Sequence, residues 1–146
     1  MNWFEKLIIS EIFQSVISGV ILLIFSEYFK NFILVPIKEF NGIVGRIDNK
    51  LKYYSNRIVN SGLPENFINE ARIALRELSC DLESTYKQIP LWSTYIFIFH
   101  LPCKRQIVEA ATKLIYLSNA AGDKGKELKN NEEINIIRKL LRIQAL

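Results

Sequence analysis

Ile12-Phe13-Gln14-Ser15-Val16-Ile17-Ser18-Gly19-Val20-Ile21-Leu22-Leu23-Ile24-Phe25-Ser26 runs for fifteen residues without a charge, between Glu11 and Glu27. As a helix this stretch covers roughly 22 Å, short of the ~30 Å of bilayer hydrocarbon. The apolar span continues outward to Leu7 on one side and Val35 on the other, which is long enough to cross. The sequence therefore predicts a membrane-spanning helix with Glu11, Glu27 and Lys30 near its edges. The competing reading is a buried core helix of a soluble protein. A 146-residue soluble chain rarely concentrates apolar residues so densely at one terminus, which counts against it. A cleaved secretory leader fits less well still. Glu5 sits beside Lys6, Glu11 interrupts the apolar run, and no small-residue cleavage site follows.

Flanking charge sets the expected orientation. Lys6 and the α-amine stand on the N-terminal side, whereas Lys30, Lys38, Arg46, Lys50 and Lys52 follow the span. The positive-inside bias places the C-terminal bulk in the cytoplasm of a bacterial inner membrane, with a very short N-terminus outside. Trp3 and Phe4 at one end, and Tyr28, Phe29 and Phe32 at the other, suit interfacial aromatic belts. Cys80 and Cys103 then lie in a reducing compartment as unpaired thiols.

The span carries a polar stripe. At about 100° per residue, Glu11, Gln14, Ser15, Ser18, Leu22, Phe25 and Ser26 share roughly a third of the circumference, opposite a wholly apolar face. Polar groups in a membrane helix face protein or water in preference to acyl chains. With one span per chain, that protein must be other copies of the same chain. Glu11, Gln14, Ser15, Ser18 and Leu22 are thus the expected helix-association or pore-lining residues. A serine that bonds back to its own helix is the alternative for Ser15 and Ser18.

Ile37, Phe40, Val44, Ile47, Leu51, Tyr54 and Ile58 follow at spacings of three and four, a heptad seam sustained for three heptads. Such a seam serves either an intermolecular stalk or the chain's own bundle, and the pattern alone does not choose. Pro36 is expected to kink the chain as it leaves the bilayer while suiting the first turn of the next helix. Beyond it the pattern predicts only helices. One runs from the turn at Asn60–Pro64, capped near Ser61 or Gly62, to about Ile89, with Phe67, Ile68, Ala71, Leu75, Leu78, Leu82 and Tyr86 inward. Another opens at Pro102 and is closed by Gly122; a last helix is capped by Asn131 and carries Ile134, Ile137, Leu140, Leu141 and Ile143. The expected fold is all-α: residues 1–36 a membrane helix with flanks, 37–60 a heptad-patterned juxtamembrane helix, and 61–146 a small helical cytoplasmic domain. Residues 91–101, aromatic and bracketed by Pro90 and Pro102, have no partner strand and are too short to span. They pack in the core or dip into the membrane interface.

Few residues suggest chemistry. His100 is the only histidine, no Cys or His pair has metal-ligand spacing, and the carboxylates are scattered. Gly122-Asp123-Lys124-Gly125-Lys126 lacks the strand and the full pattern of a phosphate loop. Neither an enzyme nor a cofactor is expected. The net charge of +4 is unevenly spread, with Lys104, Arg105, Lys124, Lys126, Arg138, Lys139 and Arg142 in the C-terminal third. Anionic lipid headgroups are the economical partner for a tethered basic surface. A nucleotide, RNA or protein partner, or a merely solvated surface, stays open.

Ala74-Leu75-Arg76-Glu77-Leu78, Tyr86-Lys87-Gln88-Ile89-Pro90 and Ala110-Ala111-Thr112-Lys113-Leu114-Ile115-Tyr116-Leu117-Ser118-Asn119 together resemble a family of short uncharacterised bacterial proteins with one N-terminal membrane helix and a helical cytoplasmic domain. In build, the chain also resembles the small membrane proteins that accompany RNA-guided antiviral systems, some of which form oligomeric pores. That likeness is architectural and transfers no functional residue. The expected function is a self-associating inner-membrane protein, an oligomeric pore or membrane-perturbing effector in antiviral defence. The alternative is a membrane-tethered interaction or signal-binding module without a channel.

Overall fold

The chain's structure is a computed structural model that describes residues 3, 4, 6, 10–60, 62–90 and 99–143, with the side chains of Glu11 and Ile12 outside that set. Helix α1 spans Glu11–Phe29. Ser10 caps it in an extended conformation, its hydroxyl accepting the Phe13 N–H at 3.3 Å and so satisfying one orphan donor of the first turn. The helix does not break at Pro36. A single π turn over Lys30–Leu34 joins α1 to α2, Val35–Tyr53, and Val35 N–H donates to the Lys30 carbonyl five residues back. In a regular helix the Pro36 ring would crowd the Phe32 carbonyl and deprive it of its donor. The wider turn absorbs both faults, so the expected kink is replaced by a bulge in a continuous rod.

The rod's lower half is the first helix of a bundle. After α2, Tyr54 (φ −93°, ψ 2°) interrupts the helix and a short α3, Ser55–Val59, continues it. Helices α4 (Glu65–Gln88), α5 (Lys104–Ala120) and α6 (Glu127–Leu140) complete the fold. The cross-links fix their directions. Arg46 meets Asp81 and Tyr54 meets Glu70, so α4 runs antiparallel to α2. The Ser79 hydroxyl donates to the Ala111 carbonyl and Arg72 to that of Ala121, so α5 reverses again. Lys113–Glu133 and Arg138–Asp48 bring α6 back against α5 and α2. The result is an up-and-down four-helix bundle hung from a long N-terminal helix, all-α as the sequence predicts.

Phe40, Ile47, Leu51, Ile58, Leu75, Leu82, Ile107, Leu114, Leu117 and Ile137 are fully buried in one core. The expected segments 37–60 and 61–146 share that core. Each such side chain contributes about 1.5–3 kcal/mol relative to exposure, which holds α2 helical despite Gly42 and Gly45. The core face of α2 is wider than the heptad pattern, for Ile43 is buried while Val44 is only half-buried. Phe67, expected inside, is 45 % exposed, because neighbouring residues of a helix cannot share one face and Ile68 takes the core position. Arg57 covers the Phe67 ring from 5.2 Å.

Helix ends also depart from expectation. Pro64, not Ser61 or Gly62, caps α4, and Ser61 lies outside the described residues. Cys103 caps α5, its N–H donating to Gln106 Oε1 at 2.8 Å. Helix α6 begins a turn earlier than expected, so Asn131 is inside it and exposed. Its C-terminus closes on Arg142 in the left-handed region (φ 56°), with Arg142 N–H bonded to the Lys139 carbonyl and Ile143 N–H to that of Arg138. Gly122 terminates α5 at φ 78°, where a Cβ would stand 2.5 Å from Ile68 Cδ1.

Candidate functional site

Helix α1 is long and apolar enough, with the rod that continues it, to cross a membrane, and only 6 % of its most apolar window is buried against the rest of the chain. A core helix would be mostly buried; this one is exposed on every described side from Phe13 to Phe32. Gln14, Ser15, Ser18 and Leu22 are exposed along the polar stripe, and Ser26 extends it. Glu11 opens the helix, but its side chain is outside the described set. At the other end Glu27 accepts from Asn31 Nδ2 at 3.3 Å and pairs with Lys30 at 3.5 Å, which lowers the cost of a carboxylate near a membrane edge. Tyr28 and Phe32 stack there with centroids 5.5 Å apart, and Trp3 and Phe4 stack at 4.4 Å at the opposite end.

Continued at regular helical spacing, the stripe would align with Ile33. Ser18, Leu22 and Ser26 recur at intervals of four residues, and Ile33, about two turns beyond Ser26, packs against the bundle core. The π turn shifts this alignment by no more than about a quarter turn.

The seam goes the other way from the stripe. Ile37, Phe40, Ile47, Leu51, Tyr54 and Ile58 are buried inside their own chain, with Val44 half-buried beside them. Of the two uses open to the heptad pattern, the structure displays the intrachain one.

The basic residues do not form one patch. Arg138 donates to Asp48 at 3.0 Å, Lys126 pairs with Asp123 at 2.8 Å, and Arg142 donates to the His100 carbonyl at 2.8 Å. Lys104, Arg105, Lys124 and Lys139 are exposed. Lys104 and Arg105 open α5, Lys124 lies in the loop at the far end of the bundle, and Lys139 sits in the last turn of α6. Burial alone would push the Asp48 carboxyl up. Hydrogen bonds from Lys52 and Arg138, and their charges, outweigh burial and hold it below the ordinary aspartate value.

One polar constellation escaped the sequence reading. The Tyr54 hydroxyl donates to Glu70 Oε1 at 3.0 Å, Arg57 pairs with the same carboxylate, and Lys50 stands 5.3 Å from the Tyr54 ring centroid. Burial and the Glu70 bond raise the Tyr54 hydroxyl, and Arg57 holds Glu70 below the usual carboxylate range. This network borders a cleft of about 310 Å³ between α2 and α4, whose walls include Arg46, Glu77 and the exposed Ile73. A tyrosine at a seam position was the available signal, since its polar tip needs a partner when the ring is buried. His100 is exposed and in the left-handed region (φ 52°), and both cysteines are free thiols. Among the described residues no three His, Cys, Asp or Glu side chains gather as a metal site. Residues 91–98, assigned from sequence to the core or the membrane interface, lie outside the described residues.

Comparison with protein-family models, curated proteins and solved structures returns no match.

Proposed function

We propose that this chain is a single-pass bacterial inner-membrane protein that assembles with copies of itself through α1, and that the assembled helices permeabilise the bilayer. The observation that carries this reading is the contrast between the two candidate association surfaces. The heptad seam is consumed by the chain's own core, whereas α1 presents Gln14 and Ser18 on a helix that none of the described residues covers. In lipid those groups gain by meeting another polar stripe, by about 0.6 kcal/mol on average for each interhelical hydrogen bond. Copies joined this way carry their bundles toward a shared axis beneath the membrane. Glu11, in the first turn of α1, then rings the outer mouth and favours cations. No catalytic role is assigned to any residue.

A second reading, a tethered interaction module, draws on the charged cleft beside Tyr54, Glu70 and Lys50. One experiment separates the two. The purified protein in mild detergent is expected to run as a defined oligomer, and Gln14→Leu with Ser18→Leu is expected to reduce it toward monomer while the bundle stays folded. Reconstituted in liposomes, the oligomer is expected to release ions, with a cation preference that Glu11→Gln lowers. A monomer in the unaltered protein removes the assembly claim. An oligomer that releases nothing leaves the module as the function.

A further inference from the structure

Most cations of the bundle have partners. Arg46, Lys52, Arg57, Arg72, Lys113, Lys126 and Arg138 pair with carboxylates, and Lys50 and Lys129 stand over aromatic rings. The exposed cations left without a carboxylate among the described residues are not scattered evenly. Lys38 lies in the first turn of α2, Lys87 in the last turn of α4, and Lys104 and Arg105 in the first turn of α5.

The antiparallel register brings those turns to one level. Arg46 stands about 16 Å down α2 from Val35 and faces Asp81; Lys87 is about 9 Å back up α4 from there. Ser79 faces Ala111, and Lys104 is about 10 Å back up α5 from that contact. Measured along the bundle axis, all four cations therefore lie within about 10 Å of the level where the rod enters the bundle. Side chains tilt toward a helix's N-terminus, which aims Lys38, Lys104 and Arg105 back along the rod toward α1. Of the nearby exposed or half-exposed acids, Glu39 shares this level, whereas Glu83 and Glu109 lie a turn or more further away along α4 and α5. Val108, 44 % exposed, shares an open cleft with Lys104, Arg105 and Glu109, and Phe99, just ahead of α5 in the chain, is 38 % exposed. Lys124 and Lys126 are at the opposite end, near Asn130 and its contact with Ile58.

We infer that the end of the bundle next to α1, through Lys38, Lys87, Lys104 and Arg105 with the exposed Val108 beside the last two, docks on the anionic phospholipid headgroups of the bilayer that α1 crosses. The inference rests on the reading of α1 as a spanning helix, and it divides the basic residues by height. Those at the rod end bind lipid, and Lys124 and Lys126, at the opposite end, do not. Cations beside an exposed aliphatic side chain suit a surface that is charged outside and apolar just beneath. Each basic residue near an anionic surface strengthens docking about fivefold, and the attraction fades within a Debye length of about 8 Å at physiological salt.

The test uses the full chain carrying Cys80→Ser and Cys103→Ser, with an environment-sensitive dye on Val108→Cys. It is reconstituted in phosphatidylcholine vesicles with or without phosphatidylglycerol. Carbonate-resistant association with the vesicles reports the spanning helix separately from docking. The expected result is equal carbonate resistance in both lipids, with dye emission shifted to a drier environment only when phosphatidylglycerol is present. Lys104→Gln with Arg105→Gln should weaken that docking about 25-fold, and 0.5 M salt should abolish it, while Lys124→Gln with Lys126→Gln leaves it intact. Anchored protein whose emission ignores phosphatidylglycerol overturns the docking surface while leaving the spanning helix standing. Carbonate-extractable protein overturns both. A shift produced by single-stranded RNA over phosphatidylcholine, and not by phosphatidylglycerol, replaces lipid with nucleic acid as the partner.

Discussion

Asn130 is the most informative single substitution in the bundle. Its side chain is 1 % exposed, and its amide donates to the Ile58 carbonyl at 2.9 Å and to the Ala120 carbonyl at 3.1 Å. Both acceptors lie in the closing turn of a helix, α3 and α5; the Ala120 carbonyl also accepts the Asp123 N–H at 3.1 Å, so the Ile58 carbonyl is the one that depends on this amide. One amide thus satisfies two helix ends and ties α6 to both. Asn130→Leu keeps the volume and removes both donors. The Ile58 carbonyl left without a partner costs about 1–3 kcal/mol, and the apolar side chain returns part of that sum, so a net loss of about 1–2 kcal/mol is expected. Asn130→Ala should cost less than Asn130→Leu, because the space it opens admits water to the same carbonyl. The assay is urea unfolding of the full chain in mild detergent, followed by loss of helical circular dichroism from the bundle while α1 stays in the micelle. A loss below about 0.5 kcal/mol for Asn130→Leu would refute the argument, because it would mean that the Ile58 carbonyl does not depend on this amide.

Two further outcomes follow from the geometry of the bundle. Gly122→Ala should cost at least about 1–2 kcal/mol for a left-handed residue, plus the displacement of Ile68, and Ile68→Val, which removes Cδ1, should recover part of the second term; additive losses in a double-mutant cycle would contradict the contact. Asp48 is held below its ordinary 3.8, so its contribution is complete above that value and declines as pH falls through the lower folded-state value; Asp48→Asn should be less stable than the unaltered chain at neutral pH, with a gap that narrows in acid. A gap that widens toward low pH would reverse the assignment.

The parts of this fold that depend on local periodicity were readable. Every residue of the heptad seam is buried or half-buried, the C-terminal ends of α4 and α5 fall within two residues of expectation, and Gly122 closes α5 as a left-handed cap. The π turn was not readable, because proline signals trouble for the backbone without saying whether the helix will stop, bend or widen. Asn130 sits in a polar run that reads as loop. Its burial depends on Ile58, 72 residues away, and no local pattern carries that information. The pairing of the basic residues was unreadable for the same reason. Asp48–Arg138 and Lys113–Glu133 join residues 90 and 20 positions apart, and they remove cations that a count along the chain leaves free. The choice between stalk and bundle for the seam also required tertiary contacts, since an a/d stripe buries equally well in either setting.

The central claim is that α1 crosses the inner membrane with its short N-terminus outside and the bundle in the cytoplasm. In intact cells, with Cys80→Ser and Cys103→Ser as background, an impermeant thiol reagent is expected to label Asn2→Cys. It should label Lys124→Cys, exposed at the far end of the bundle, only after permeabilisation. Labelling of Lys124→Cys in intact cells would contradict the orientation, and recovery of the protein in the soluble fraction would contradict the crossing itself.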